Sequence, residues 1–178
     1  MLNLKNIEYE IIFIFDEGNT EDETINIIKR IMPDMNYQIL FAPTEYAGMA
    51  RNYGIENSNG EFIWFVDGDD WIIYPDVLQT CLKQLRASNE DIIQIEFVSN
   101  LFKMKHYSMV WQYIFRHSFL TKNHISFAPL NKYEDNDFMS RAFTALEKTD
   151  ILYLGVPCYF YNYNRPGSVT YQINRGLL

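Results

Sequence analysis

The sequence is poor in cysteine and contains no long apolar run. Its two cysteines, Cys81 and Cys158, belong to no metal-binding or redox motif, so we expect buried thiols in a reducing cytosol. The longest uninterrupted apolar runs have five residues, whereas a helix that crosses a bilayer needs about 20. The first residues include no apolar segment of signal-peptide length. These absences predict a cytoplasmic protein without a transmembrane segment, with at most a peripheral association at the inner face of the membrane.

An excess of positive charge is also missing. The chain has 15 Lys and Arg against 23 Asp and Glu, which gives a net charge of -8. This charge argues against binding to nucleic acid or to an anionic membrane surface. Apolar residues make up 48% of the chain and aromatic residues 16%, which excludes general disorder. A length of 178 residues favours one domain with a substantial core.

The most informative stretch is an apolar segment that ends in three carboxylates. Residues 62–66 are aromatic or β-branched and predict a strand that is buried on both faces. Asp67, Asp69 and Asp70 follow it directly, at the end of a strand where α/β sheets bind ligands. Like charges this close repel one another, and oxygen ligands suit Mg²⁺ or Mn²⁺. The segment is therefore either a metal site or an acidic surface turn.

A second apolar segment ends in the same way. Residues 10–15 predict another buried strand, followed by Asp16 and Glu17. Asp16 either caps the loop, as Asp does in turns, or accepts hydrogen bonds from a nucleobase or a ribose. Strands and helices then alternate as far as residue 97. This alternation predicts a three-layer α/β/α fold with a mainly parallel central sheet.

Further candidate residues lie between and after these strands. Arg51 is flanked by Gly48 and Gly54 and is either an exposed helix residue or a ligand of a phosphate or a base. Trp111 and Tyr113 belong either to the core or to a sugar-stacking surface. Residues 98–130 contain no motif.

Near the end of the chain, a second acidic cluster begins at Glu134 and Asp135. Residues 138–146 behind it predict a helix, so the helix dipole explains these acids structurally, while a carboxylate that faces a pocket would act as a general base. Residues 159–170 predict a strand and then a loop, in which Arg165 and Ser168 are candidate phosphate contacts.

Taken in order, these segments resemble the family 2 glycosyltransferases, nucleotide-sugar-dependent enzymes with the GT-A fold. The likeness covers nearly the whole chain. Asp67-Gly68-Asp69-Asp70 is similar to the family's DXD metal motif, and Glu134-Asp135 is similar to its Glu-Asp pair. The other matching segments are residues 12–20, 50–54 and 161–170. The family's second loop Asp is Glu17 here and its Ser is Asn19, a change that bears on the contact with the base.

The resemblance implies a role for each matching residue. The implied nucleotide contacts are Asp16, Glu17, Arg51, Asp67, Arg165 and Ser168. The implied ligands of Mn²⁺ or Mg²⁺ are Asp67, Asp69 and Asp70, and the implied catalytic residues are Asp135, as general base, and Glu134. Residues 1–97 would form the nucleotide and metal half of a single domain, and residues 98–178 the acceptor half.

The implied function is an inverting transfer of a sugar from a nucleotide-diphosphate donor, with a UDP-sugar expected, to a saccharide or glycoconjugate acceptor. Bacterial polysaccharide biosynthesis is the expected context. Two alternatives stay open: a non-catalytic binding or scaffold protein, and a metal-dependent phosphohydrolase. Family members usually begin with one more strand, which lies inside the sheet. We therefore expect an exposed sheet edge at residues 11–15, with a homodimer or weakened nucleotide binding as its consequence.

Overall fold

The computed structural model describes residues 8–19, 23–43, 46–73, 75–100, 109–146, 151–163 and 165–176. In chain order its strands and helices are β1 (Ile11–Asp16), α1 (Glu23–Ile31), β2 (Tyr37–Ala42), α2 (Ala47–Asn57), β3 (Phe62–Trp64), β4 (Trp71–Ile72), α3 (Pro75–Ala87), β5 (Ile92–Ser99), β6 (Tyr113–Arg116), α4 (His117–Lys122), α5 (Glu134–Ala145), β7 (Leu152–Tyr161) and α6 (Val169–Asn174). The described residues form two compact units. The first comprises those within 64–115 and 147–178, and the second comprises those within 7–63 and 116–146.

The second unit contains a two-stranded parallel sheet. β1 pairs with β2 from Ile11 opposite Tyr37 to Asp16 opposite Ala42. No other strand among the described residues pairs with β1, in agreement with the expected unpaired edge. The prediction that β1 is fully buried is wrong, because residues 11–15 are all half-buried. An apolar run allows both faces of a strand to be buried, but burial is complete only where other elements cover both faces of the sheet.

A five-stranded sheet has the strand order β3-β6-β5-β7-β4. β4, β5 and β7 lie wholly in the first unit, as do Trp64 of β3 and residues 113–115 of β6. β5 and β7 are parallel, whereas β6 is antiparallel to β5 and β4 is antiparallel to β7. The sheet is therefore mixed rather than mainly parallel. The strand predicted over residues 62–66 ends at Trp64. Within that run Ile63 and Phe65 are buried, Phe62 and Trp64 are half-buried and Val66 is exposed, so one face is fully buried and not both as predicted.

Aromatic side chains fill the core of the first unit. Trp111 and Tyr113 are buried, which identifies them as core residues rather than as a sugar-stacking surface. Trp111 stacks on Tyr159 with ring centroids 4.6 Å apart and an interplanar angle of 8°. Cys81 and Cys158 are buried free thiols, as predicted, and contact with Cys81 together with burial raises the pKa of Cys158.

One helix begins earlier than the sequence predicted. Helix α5 starts at Glu134, four residues before the predicted start at residue 138. Glu134, Asp135 and Asp137 therefore lie in its first turn, where the positive end of the helix dipole stabilises their charges. Tyr133 precedes the helix in a left-handed conformation, with φ of 62°, so the chain turns sharply at this point.

Candidate active site

One tight turn after β3, in the first unit, carries Asp67, Asp69 and Asp70. The Asp70 N–H donates to the Asp67 carbonyl oxygen across 3.1 Å, which closes the turn around Gly68. We call residues 67–70 the acidic turn. The joint role of Asp67, Asp69 and Asp70 as metal ligands stays a prediction.

A buried phenol on β7 holds the acidic turn in place. The Tyr159 hydroxyl donates to Asp70 Oδ2 across 2.6 Å and accepts from the Asp67 N–H across 3.2 Å. Tyr159 is 0% exposed, and burial together with the Asp67 charge raises its pKa, so the hydroxyl stays protonated and able to donate. The ring is fixed by its stack on Trp111. Tyr159 thus connects both ends of the turn to the aromatic core.

Asp70 of the turn is half-buried. Its Oδ1 accepts from the backbone N–H of Asn162 across 2.8 Å, so both oxygens have protein donors. Burial raises the pKa of Asp70 to about 6, the hydrogen bonds from Tyr159 and Asn162 oppose this rise, and the charges of Asp67 and Asp69 add to it. Because each carboxylate oxygen has two lone pairs, these bonds leave capacity for a further ligand.

Asp69 of the turn forms an ion pair with Arg165. Its Oδ2 pairs with Arg165 Nε at 2.9 Å, and the two side chains are 28% and 48% exposed. Ser168, the other predicted phosphate contact, accepts from the Tyr171 N–H through its hydroxyl oxygen and so caps the start of α6. Arg165 therefore forms an ion pair with the acidic turn, whereas the Ser168 hydroxyl forms a helix-capping hydrogen bond.

The acidic turn carries oxygen donors of the kind that a hard divalent cation prefers. No group of three or more His, Cys, Asp or Glu is positioned to hold a metal among the residues that the structure describes. Mg²⁺, however, usually takes only one or two carboxylates and completes its shell with water and substrate phosphates. Asp67 and Asp69 supply that number of carboxylates on one turn.

Replacing Tyr159 by phenylalanine tests the link between Tyr159 and Asp70. We expect the free energy of unfolding to fall by roughly 1.5–3 kcal/mol, the range for hydrogen bonds to charged groups. Asp70 has a higher pKa in the folded protein than its usual 3.8, so its stabilising contribution is complete below pH 4 and is lost as the pH rises through 6. Removing a donor to the carboxylate raises that pKa further, so the variant should lose more stability at pH 8 than at pH 5.

Urea unfolding in EDTA at both pH values measures this difference. Tyr153→Phe is the matched control, because Tyr153 is also on β7 but its hydroxyl bonds to Glu96. Equal losses for Tyr159→Phe at pH 5 and pH 8 would contradict the proposed link.

In the second unit, Arg51 pairs with the second acidic cluster. Arg51 Nη1 lies 2.8 Å from Asp135 Oδ1 and 3.4 Å from Glu134 Oε1. The Arg51 and Asp135 side chains are each only 14% exposed, so the pair is largely shielded from water. Arg51 is therefore not the exposed helix residue of the simpler interpretation. Its guanidinium neutralises and orients the carboxylate of Asp135, the predicted general base.

Small and polar residues of α2 bring Arg51 to this position. A Cβ atom on Gly48 would lie 2.9 Å from Phe127 Cβ and 3.3 Å from Glu134 Cγ, so only glycine allows this approach. Asn52 exchanges two hydrogen bonds with the backbone of Phe127, at 2.7 and 2.9 Å. Phe127 stacks on Phe138 of α5 at 4.1 Å. Sequence reasoning missed Asn52 and Phe127, although Asn52 lies within the matching segment 50–54.

Replacing Arg51 by alanine should destabilise the protein more than the loss of a surface ion pair would. Two carboxylates would remain without their cation. Breaking a fully buried pair costs about 3–5 kcal/mol, so we expect about 2–3 kcal/mol here because water reaches the site in part. Arg51→Lys should recover only part of the loss, since lysine lacks the planar fork. Chemical denaturation measures both variants.

In an Asp135→Asn/Glu134→Gln background the same Arg51→Ala change should cost much less, because the unpaired charges are gone. Arg141→Ala is the surface control, since Arg141 pairs with the half-exposed Asp137. An Arg51→Ala loss that is unchanged in the neutral background would contradict the ion-pair explanation.

Asp16 and Glu17 lie where β1 ends. Asp16 is the last residue of β1, Glu17 begins a short 3-10 helix, and both are exposed. Asp16 and Asp135 belong to the second unit and Asp69 to the first. The convergence of these three carboxylates on one cleft stays a prediction.

Comparison with known proteins decides the family. Residues 1–150 match the model described as glycosyl transferase family 2, which is well over half of the chain. This chain belongs to glycosyl transferase family 2. The glycosyltransferase resemblance inferred from the motifs is therefore confirmed.

Individual family 2 relatives match parts of the chain. The poly(ribitol-phosphate) beta-N-acetylglucosaminyltransferase TarP of Staphylococcus aureus (strain N315) is 30% identical over 90 residues, which is 51% of this chain and 27% of TarP. The putative glycosyltransferase EpsH of Bacillus subtilis (strain 168) is 25% identical over an alignment of 187 positions, covering 89% of this chain and 53% of EpsH. The chain thus spans about half or less of these relatives.

Solved structures give the same fold. The crystal structure of S. aureus TarS 1-349 in complex with UDP-GlcNAc matches with a TM-score of 0.78 and 21% identity, over 92% of this chain and 52% of the TarS chain. The family 2 chain therefore has the α/β GT-A fold that the sequence predicted. No helix among its described residues has the length and apolarity needed to cross a bilayer.

Proposed function

We propose that this family 2 chain carries the catalytic site of a metal-dependent, inverting glycosyltransferase. The donor is a UDP-sugar and the acceptor is a saccharide or glycoconjugate, with a cytoplasmic location. The observation that carries the proposal is the half-buried ion pair of Asp135 with Arg51, at the position of the family's Glu-Asp pair. Such an arrangement holds a carboxylate in one orientation, which a general base needs.

In the proposed reaction, Asp135 accepts the proton of the acceptor hydroxyl. The acceptor oxygen bonds to the anomeric carbon from the face opposite the diphosphate, and the bond from that carbon to the diphosphate oxygen breaks. Attack from the opposite face inverts the configuration. Glu134 shares the Arg51 cation with Asp135, so it helps to set the position of the base.

The acidic turn serves the leaving group in this proposal. Asp67 and Asp69 are the proposed ligands that would hold Mg²⁺ or Mn²⁺, with Asp70 completing the acidic site, and such an ion would supply charge neutralisation for the departing diphosphate. Arg165 and Ser168 are proposed diphosphate contacts. Asp16 and Glu17 are proposed contacts of the base and ribose. Arg51, which pairs with Glu134 and Asp135, is proposed to support the bound nucleotide.

Ligand-dependent stability tests the proposal. Thermal unfolding is measured with UDP and with GDP, each with and without Mn²⁺. A specific nucleotide at a hundred times its dissociation constant should add about 2.7 kcal/mol, and we expect this only for UDP with Mn²⁺. Absence of a metal-dependent shift with either nucleotide would favour the non-catalytic scaffold, and release of inorganic phosphate without an acceptor would favour a phosphohydrolase.

A further inference from the structure

The ring of Phe127 contacts both Arg51 and helix α5 within the second unit. Phe127 is 3% exposed and belongs to the irregular connection between α4 and α5. Its ring stacks on Phe138 of α5 with centroids 4.1 Å apart and an interplanar angle of 15°. The guanidinium carbon of Arg51 lies 5.4 Å from the centroid of the same ring, a distance at which a cation is attracted to an aromatic face. Phe127 therefore touches the cation that pairs with Asp135 and the helix that carries Asp135.

Asn52 fixes the backbone of Phe127. Its Oδ1 accepts from the Phe127 N–H across 2.7 Å, and its Nδ2 donates to the Phe127 carbonyl oxygen across 2.9 Å. One amide thus satisfies both backbone groups of a residue that belongs to no helix or strand. Asn52 holds this loop residue to α2 much as a neighbouring strand holds a residue in a sheet.

The same face of α2 carries Gly48, Arg51 and Asn52. Residues three and four apart in a helix are neighbours on its surface. Phe127 packs closely against this face, since a Cβ atom on Gly48 would lie 2.9 Å from Phe127 Cβ. The amide that binds the Phe127 backbone and the guanidinium that binds Asp135 therefore lie side by side. Any shift of Phe127 along α2 would move the ring against which the Arg51 guanidinium rests.

We propose that Asn52 is a positioning residue for the general base: by fixing Phe127, it sets the place of the Arg51 guanidinium and, through that cation, the orientation of the Asp135 carboxylate. The inference rests on the proposed function, in which Asp135 is the base. Asn52 itself does not touch the reacting atoms in this proposal. A misplacement of about 1 Å that originates far from the chemistry costs up to roughly 10²-fold in rate, so the loss of Asn52 should appear in kcat rather than in nucleotide binding.

Replacing Asn52 by alanine should lower kcat for sugar transfer about 10–100-fold, while the donor KM and the affinity for UDP stay near the wild-type values. The donors are UDP-glucose, UDP-galactose and UDP-GlcNAc, and the acceptors are methyl glycosides of the same sugars. Asn57→Ala is the matched control, because Asn57 is also an asparagine of α2 but its Nδ2 donates to the Tyr53 carbonyl oxygen of the same helix. This control should leave kcat unchanged.

The same change in an Asp135→Asn background separates positioning from general damage. If Asn52 acts through the base, removing the base first removes the effect, so Asn52→Ala should cost less than about twofold in kcat there. A merely structural loss would multiply with the loss caused by Asp135→Asn. Phe127→Leu is a second variant in case Asn52→Ala does not fold. It keeps the backbone bonds to Asn52 but removes the ring beside Arg51, and it should show the same lack of additivity.

The restraint on Arg51 is measured without any turnover. The Nη resonances of Arg51, assigned by their loss in Arg51→Lys, are separate in the NMR spectrum when rotation of the guanidinium is restrained. They should merge in Asn52→Ala and stay separate in Asn57→Ala. Arg116, which pairs with Glu61 at 2.7 Å, is the internal control and should keep the spectrum that it has in wild type.

The remaining outcomes distinguish this inference from the proposed function. If wild type transfers sugar and Asn52→Ala keeps both its kcat and its Arg51 signals, the proposed function stands and the positioning role is wrong. An equal fold-loss in the wild-type and Asp135→Asn backgrounds overturns the role as well, because Asn52 then acts on structure alone. If wild type transfers no sugar from any donor, the proposed function fails. Merged Arg51 signals in Asn52→Ala would then still support control of the ion pair by Asn52, and unchanged signals would overturn it.

Discussion

Asp135→Asn is expected to reduce kcat for sugar transfer by about 10²–10⁴-fold, the usual contribution of a general base. The amide has nearly the shape of the carboxylate, but it cannot accept the acceptor's proton at neutral pH. Arg51 would keep Glu134 as a partner, so the surroundings of α5 should stay in place. Nucleotide binding should be close to wild type. Steady-state kinetics with UDP-sugar, together with the affinity for UDP, measure both effects.

The control for this change, Asp137, lies two residues further along α5. Asp137 is also in the first turn of α5, but it pairs with Arg141 rather than with Arg51. Asp137→Asn should therefore lose a similar interaction with the helix dipole and leave kcat nearly unchanged. Normal turnover by Asp135→Asn, or an equal loss in both variants, would remove Asp135 as the base.

Asp69→Ala should weaken Mn²⁺-dependent UDP binding by roughly a hundredfold or more, since changes even to outer-shell partners of a metal ligand cost 10–100-fold. The change removes one of the two proposed metal carboxylates. It should have little effect on folding, because the Asp69–Arg165 pair is exposed at 28% and 48% and such pairs contribute about 0–1 kcal/mol. Titration with UDP in Mn²⁺ and in EDTA separates metal-dependent from metal-independent affinity.

Glu61→Gln is the matched control for Asp69→Ala. Glu61 pairs with Arg116 at 2.7 Å, and its side chain is 51% exposed, so the variant also breaks an exposed ion pair. It should leave UDP affinity unchanged in both buffers. If Asp69→Ala bound UDP and Mn²⁺ as wild type does, the acidic turn would not be the metal site.

Local sequence signals located the acidic turn and the second acidic cluster. Asp67, Asp69 and Asp70 were predictable because they follow an apolar segment that ends at a glycine-containing turn. The start of α5 was misplaced by four residues, because an acidic cluster predicts a loop and a helix N-terminus almost equally well. Burial of β1 was overestimated, since an apolar run does not state how completely other elements will cover the two faces of the strand.

The contacts that organise these residues were not predictable from spacing. Tyr159 and Asp70 are separated by 89 residues, and Arg51 and Asp135 by 84. No local pattern distinguishes Tyr159 from the neighbouring tyrosines of β7. Only the pairing of β7 with β5 and β4 brings the Tyr159 hydroxyl into contact with the acidic turn.

The sequence by itself determined which chemistry the chain carries: carboxylates after apolar strands, in the order typical of one enzyme family. That information is local, because hydrophobic pattern and turn residues act over a few neighbours. Only the tertiary structure decided the partners, because it pairs Asp70 with Tyr159 and Asp135 with Arg51. These pairings depend on packing between segments that are distant in sequence. The absence of a Cβ atom at Gly48 lets Phe127 and Glu134 approach α2, and the stack on Trp111 fixes the Tyr159 ring.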